Sequence, residues 1–301
     1  MSATIGRPEE DALFTATLIA SESLSAGDIS AARDALALPG GWEWIDEGIA
    51  ADLQFDGEPT ATRDALEGVI AGVDVIVQPS AGRAKALLIA DMDSTMITVE
   101  CIDELADYAG VKPQIAEITE RAMRGELDFA AALDARVALL CGLEESAIDR
   151  CLAERVTLMP GAKTLVRTMR ARGATTILVS GGFTRFADPV GAEIGFDRVI
   201  ANRLVIAGGV LTGAVERPIV DSSTKEATLR SAMADLELRV ESTMAVGDGA
   251  NDLPMIRAAG LGVAYRAKPI VAATAGARVE YGDLTALLYA QGIRRADWAT
   301  H

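Results

Sequence analysis

The sequence predicts an α/β chain built on a doubly wound, mostly parallel sheet. Three observations carry that reading. Apolar runs at 86–90, 175–179, 243–246 and 261–264 have the length and composition of buried strands. Helical patterns separate them, and alternating strands and helices favour a parallel sheet covered on both faces. Three of the runs end in polar or flexible residues: Asp91-Met92-Asp93, Ser180-Gly181-Gly182 and Gly247-Asp248-Gly249. Sites in such sheets collect at the carboxyl ends of the strands.

Residues 1–79 read as a separate small α/β unit. It holds a strand at 14–20, a short helix at 29–38, an ambiguous stretch at 42–55, a helical pattern at 60–71 and a β-branched strand at 73–77. Pro79-Ser80-Ala81-Gly82 reads as a linker, so the second unit spans 80–301. After its first strand, 98–156 is almost continuously helical in pattern, broken at Gly110, Gly125 and Gly142. That is a helical insertion, a cap over about 98–157. Pro160-Gly161 opens a further helix, which closes at the C-cap signal Arg172-Gly173. Short β segments at 203–219 turn at Gly208-Gly209, and 223–236 is helical.

The chain has 301 residues, half of them apolar, and a net charge of −16. So acidic a surface displaces few counterions from nucleic acid or an anionic membrane, which argues against both as partners. No uncharged run approaches the length of a membrane span. The N-terminus lacks a basic start followed by an apolar segment. Cys101, Cys141 and Cys151 have neither disulfide-framework nor zinc spacing. These features predict a cytoplasmic protein. The single histidine is His301, so catalysis through Ser-His-Asp, Cys-His or metallo-His is set aside. Acid–base chemistry near neutral pH then falls to carboxylates, Lys, Tyr or Cys.

Asp91 and Asp93 leave the end of a strand two residues apart, a spacing that points both side chains the same way in extended chain. Two like charges so close are costly unless a cation or a shared proton offsets them. The arrangement suits Mg²⁺-dependent phosphoryl transfer, with one carboxylate as nucleophile and the other as proton carrier. A calcium loop does not fit, because Thr95, Met96 and Ile102 stand at the fifth, sixth and twelfth positions. The Gly-Gly and Gly-Asp-Gly strand ends free backbone N–H groups for an oxyanion. Ser180 adds a hydroxyl donor, and Asp248 a hard oxygen ligand.

Asp91-Met92-Asp93-Ser94-Thr95, Val179-Ser180-Gly181-Gly182-Phe183, a downstream lysine and Gly247-Asp248-Gly249-Ala250-Asn251-Asp252 together resemble the four motifs of the haloacid dehalogenase-like phosphohydrolases. The likeness covers about 85–288. Glu100, Arg124-Gly125, Asp128-Phe129, Arg136-Val137 and Met159-Pro160-Gly161 are similar to the phosphoserine phosphatase branch. The resemblance implies that Asp91 attacks phosphorus and Asp93 moves the proton. It implies Mg²⁺ at Asp91, the Asp93 carbonyl and Asp248, with Asp252 supporting the metal's shell. Ser180, Gly181 and Lys225 would hold phosphate oxygens, with Asn251 beside them. Glu100 would take the substrate ammonium and Arg136 its carboxylate, while Met123 and Phe129 close the apolar side.

Physical chemistry agrees with those roles. Transferring phosphoryl oxygens need positive charge, and the guanidinium fork matches a carboxylate as an ammonium cannot. The expected reaction is Mg²⁺-dependent hydrolysis of O-phosphoserine, completing serine biosynthesis. Two alternatives stand beside it: a phosphatase of another small metabolite, and an amino-acid-binding regulatory protein. The second would act through the N-terminal unit, which is similar in length and alternation to ACT-like segments. Such a unit also allows a homodimer.

Overall fold

The computed structural model describes residues 13–36 and 41–299, apart from the side chains of Ala35 and Met123. The first unit runs β1 (Leu13–Ala20), α1 (Ala26–Ala35), β2 (Trp42–Asp46), β3 (Ala50–Asp56), α2 (Pro59–Leu66) and β4 (Val73–Pro79). Its sheet is antiparallel in the order β2-β3-β1-β4. Helix α1 starts ahead of the expected 29 because Ser25 and Asp28 form a capping box, the Asp28 N–H donating to Ser25 Oγ at 3.1 Å. Positions 37 and 38 of that expectation lie outside the described residues. The ambiguous 42–55 resolves into two paired strands. Helix α2 stops at Leu66, short of the expected 71, where Gly68 turns the chain at φ 78°.

The second unit begins with β5 (Leu87–Ala90). Four helices then form the insertion: α3 (Cys101–Ala109), α4 (Lys112–Met123), α5 (Phe129–Ala138) and α6 (Ser146–Arg155). Next come α7 (Ala162–Ala171), β6 (Thr175–Phe183), α8 (Thr184–Ile194), β7 (Arg198–Asn202), β8 (Leu204–Ala207), β9 (Val210–Val215) and α9 (Ser222–Asp235). The chain closes with β10 (Thr243–Gly247), α10 (Leu253–Ala258), β11 (Leu261–Tyr265), α11 (Pro269–Ala272), β12 (Ala277–Val279) and α12 (Ala286–Ala290). Gly110, Gly125 and Gly142 break the insertion at positive φ of 69°, 75° and 84°, a backbone region open to glycine at little cost.

The central sheet is parallel, in the order β12-β11-β10-β5-β6-β7. Strand β5 is fully buried, and its residues alternate between two cores. Leu88 and Ala90 face the larger one with α7 and α8, while Leu87 and Ile89 face α9 and α10. Each such leucine or isoleucine contributes about 1.5–3 kcal/mol by leaving water. Strands run outward from β5 in both directions, so the β10, β5 and β6 ends lie side by side at the switch point. Sequence periodicity passed over β7, β12, α8 and α12. Strand β7 lies at the sheet edge and only Asn202 is buried, β12 has three residues, and α8 carries Pro189 internally.

The first unit docks through one face of its sheet. Ala16, Leu18, Leu53, Phe55, Val73 and Val75 pack beneath α1 and α2. The alternate residues Ile19, Ala50 and Ile76 join the core of the second unit. Polar contacts surround that seam. Asp74 accepts the N–H groups of Glu280, Tyr281 and Gly282 at 2.8–3.2 Å. Arg83, just past the expected linker, donates to Asp52 at 2.6 and 3.0 Å and to the carbonyls of Tyr289 and Ala290. Arg83→Ala would leave the buried Asp52 charge with only the Thr17 hydroxyl donating to it at 2.8 Å, which is expected to lower the unfolding free energy by about 3 kcal/mol. Urea titration checks this, and a loss below about 1 kcal/mol would mean that the clasp contributes little.

Candidate active site

Asp91 follows β5 directly and remains tied to β10 through its N–H to the Val246 carbonyl, 3.0 Å. The chain then folds over Met92, whose carbonyl accepts from Thr95, Met96 and Ile97 at 3.2, 2.8 and 3.0 Å. Ser94 takes a left-handed φ of 55° to close this turn. The insertion leaves and returns on paired segments: the Thr98 N–H donates to Thr157 at 2.9 Å, and the Met159 N–H to Met96 at 2.9 Å. The β8–β9 hairpin braces the insertion from the side, with the Gly142 N–H donating to Leu211 at 2.8 Å and Arg217 paired with Asp134.

Lys225 lies in the first turn of α9. Asp221 caps that helix, accepting from the Thr224 N–H at 2.9 Å. The Lys225 ammonium is fully buried, 2.7 Å from Asp91 Oδ1 and 2.6 Å from Asp252 Oδ1. Asp252 Oδ2 accepts the Gly249 N–H at 3.0 Å, so both its oxygens are engaged. Asp248 Oδ1 accepts from the Thr95 hydroxyl at 3.3 Å. Asp91, Asp248 and Asp252 each bring a carboxylate oxygen within 4.8 Å of the others.

Three buried carboxylates around one ammonium leave excess negative charge. Burial pushes Asp91 well above the usual carboxylate range; Asp252 adds to the shift and Lys225 opposes it. Asp248 is pushed up to about 6 by burial, then by Asp252 and Glu100. Burial works against the Lys225 charge, but Asp252 and Asp91 outweigh it and raise its pKa. Asp91 Oδ2 and Asp248 Oδ2 accept no hydrogen bond among the described residues. An all-oxygen donor set with surplus charge and free oxygens fits a hard divalent cation such as Mg²⁺.

Asp93 is pushed up to about 7 by burial, then by Glu100, with the neighbouring Cys101 opposing. Its Oδ1 is buried without a partner among the described residues. A Cβ on Gly182 would lie 3.2 Å from Asp93 Oδ2 and 3.1 Å from Ser180 Oγ, so glycine is what lets the two side chains approach. Ser180 Oγ accepts the Gly182 N–H at 2.9 Å. Phe129, the first residue of α5, reaches down to Gly181, where a Cβ would meet its ring at 3.1 Å. Arg136 is half-buried and donates to the Ala132 carbonyl at 3.2 Å. Burial lowers its pKa, against the pull of Asp103, Glu100 and Asp93. Glu100 accepts the Ser94 hydroxyl at 2.7 Å at an exposed position. Asn251 stands in the turn after Gly249, with Oδ1 against that glycine.

Asp91, Asp252, Asp248 and Lys225 therefore meet in direct contact or close to it. Asp93, Ser180, Gly181 and Phe129 pack beside one another, and Arg136 on α5 feels the negative charges of Asp103, Glu100 and Asp93. Met123 ends α4, and its side chain lies outside the described residues. Cys101 is a buried thiol, pushed well up by burial and then by Asp93, so it stays protonated. Sequence reasoning quoted Thr95 within its motif without giving it a role, and passed over Asn202. Asn202 ends the apolar run Val199-Ile200-Ala201, the same strand-end signature that exposed the other three.

A doubly wound sheet with a buried aspartate–lysine cluster at its switch point, beside a helical insertion, defines the class: an α/β fold whose charged residues collect at the carboxyl ends of its strands. The family model of the haloacid dehalogenase-like hydrolases matches residues 88–257, and the chain belongs to that family. A protein of Streptomyces coelicolor named phosphoserine phosphatase is 46% identical over 243 residues, 80% of this chain and 59% of its own length. The chain thus spans less than two thirds of that relative. A Streptococcus thermophilus protein of the same name is 48% identical over 200 residues, 66% of this chain and 93% of its own. The crystal structure of a probable phosphoserine phosphatase from Vibrio cholerae, in unliganded form, superposes with a TM-score of 0.74 at 34% identity, covering 94% of this chain and 88% of that one.

Proposed function

We propose that this chain hydrolyses O-phospho-L-serine to L-serine and phosphate, the step that completes serine biosynthesis. The observation that carries the reading is the buried Asp91–Lys225–Asp252 cluster at the strand ends, with a half-buried Arg136 on the insertion that feels the charges of Asp103, Glu100 and Asp93. A guanidinium and a carboxylate at the mouth of a phosphoryl-transfer site can read the two charges of an amino acid. The names of the relatives agree.

Asp91 attacks phosphorus through a carboxylate oxygen. The bond from phosphorus to the seryl oxygen breaks, its electron pair stays with that oxygen, and Asp93 supplies the proton. The resulting aspartyl-phosphate is opened by water, which gives its proton to Asp93 as phosphate leaves Asp91. An Asp93 carboxyl pushed up to about 7 can hold and release a proton near neutrality. The Ser180 hydroxyl, the Gly181 N–H and the Lys225 ammonium hold phosphoryl oxygens, with Asn251 at their edge. Asp91, the Asp93 carbonyl and Asp248 would hold Mg²⁺, with Asp252 behind them, and the bound ion would supply positive charge to those oxygens. Phe129 closes the apolar side and excludes water from the intermediate.

The direct test is phosphate release from O-phospho-L-serine, with and without Mg²⁺, beside p-nitrophenyl phosphate and sugar phosphates. Mg²⁺-dependent preference for phosphoserine is expected; turnover of p-nitrophenyl phosphate alone would keep the aspartates and discard the substrate. Arg136→Ala sharpens it. Loss of one charge-assisted pair predicts a fall of about 10²-fold in kcat/KM for phosphoserine, with p-nitrophenyl phosphate changed by less than about threefold. Equal losses for both esters would remove Arg136 from substrate reading.

A further inference from the structure

Asn202 ends β7 and is almost fully buried, 2% exposed. Its side-chain amide is used at both ends. Nδ2 donates to the Gly181 carbonyl at 2.8 Å and to the Val220 carbonyl at 3.2 Å. Oδ1 accepts the Val220 N–H at 2.7 Å. Of the amino-acid side chains of this size, only a carboxamide offers two donors and an acceptor.

The peptide between Gly181 and Gly182 is consequently pinned at both of its polar atoms. Its carbonyl points to Asn202, and its N–H donates to Ser180 Oγ at 2.9 Å. A hydroxyl that accepts this N–H has its own proton left to donate, and no acceptor for it occurs among the described residues. The Gly181 carbonyl, which would repel phosphoryl oxygens, is drawn aside by the same bond. The second half of the clasp holds Val220, the residue before the α9 cap Asp221, whose carbonyl accepts the Lys225 N–H at 3.1 Å. One buried amide thus ties the loop of Ser180 to the root of the helix that carries Lys225.

We propose that Asn202 is a positioning residue for phosphoryl transfer. It orients the Gly181–Gly182 peptide so that Ser180 presents its hydroxyl proton, and it keeps Ser180 in register with Lys225. The inference rests on a phosphoryl group being bound at this site, as proposed above, but not on which alcohol carries it.

The experiment compares Asn202→Asp and Asn202→Ser with the unmodified chain, each alone and with Ser180→Ala. Asp keeps the size and the Val220 acceptor but loses both donations; Ser covers the case in which Asp does not fold. p-Nitrophenyl phosphate is the substrate, so failure of the phosphoserine reading does not silence the test. Binding of inorganic phosphate and of L-serine is followed by calorimetry. Losing the orientation of one oxyanion donor predicts a fall in kcat of about 10- to 100-fold, with weaker phosphate binding. Serine binding, if present in the parent, should stay within about twofold, since its contacts lie on the cap. The Asn202 effect should shrink to less than about threefold in the Ser180→Ala background, because the two act through one hydroxyl. Full additivity with Ser180→Ala, or unchanged kcat and phosphate binding with only a lower melting temperature, would overturn the proposal and leave Asn202 a packing residue.

Discussion

Asp91→Asn is expected to abolish phosphate release while the protein becomes no less stable. The proposed mechanism places the attacking oxygen on this side chain alone, and an amide is not a nucleophile at phosphorus. Removal of a nucleophile that works as part of a unit predicts a loss on the order of 10⁴-fold or more in kcat. The stability half follows from electrostatics. Asp91 is one of three buried carboxylates facing a single ammonium. Burial already raises its pKa well above the usual range, so a neutral isostere relieves strain in the metal-free protein. Acid-quenched enzyme after exposure to labelled phosphate ester should carry label in the parent and none in the variant. Turnover within about tenfold of the parent would rule out Asp91 as the nucleophile.

Lys225→Met should cost both activity and stability, and the stability loss should grow with pH. The ammonium is the cation that both Asp91 and Asp252 contact, with no exposed surface. Removing one partner of a buried ion pair costs about 3–5 kcal/mol, because the charge left behind is unpaired. Sign follows from the carboxylates around it. Asp93 is pushed up to about 7 and Asp91 well above the ordinary carboxylate value of 3.8 in the folded protein, and Lys225 opposes both shifts. Groups shifted upward add stability at low pH and withdraw it as pH rises through the folded value. Without Lys225 the carboxylates it balanced shift up further. In chelator, the variant's melting deficit should therefore be small near pH 5 and large near pH 8. Mg²⁺ should recover part of it at pH 8 by restoring positive charge to the cluster. A deficit equal at both pH values would show that Lys225 acts by packing instead of charge.

The parallel sheet was legible because its strands are uniformly apolar and short, and its site because three of them end in residues that buried strands do not otherwise need. The helical insertion was legible for a related reason: Gly110, Gly125 and Gly142 punctuate an amphipathic pattern and each sits at a positive φ. Edge elements were not. Strand β7 has only Asn202 buried, β12 has three residues, and Pro189 argues against the helix that nonetheless contains it. In those elements packing against the sheet outweighs local preference. Arg83 illustrates another limit. Next to Pro79-Ser80-Ala81-Gly82 it looks like a linker residue, yet it clasps Asp52 to the carbonyls of α12 more than two hundred positions away.

The order of apolar runs, the turn residues and the carboxylates at strand ends are written in one dimension. They determined the fold class and the family, and they nominated candidate residues at the strand ends. Only the tertiary structure decided which charges meet. Lys225 sits between Asp91 and Asp252, and Asn202 joins two loops that lie far apart in sequence. Periodicity records which face of an element is buried, since that depends on neighbours along the chain. Hydrogen bonds and ion pairs between elements depend on sheet order and on crossing of the cap over the strands, and no local pattern encodes those distances.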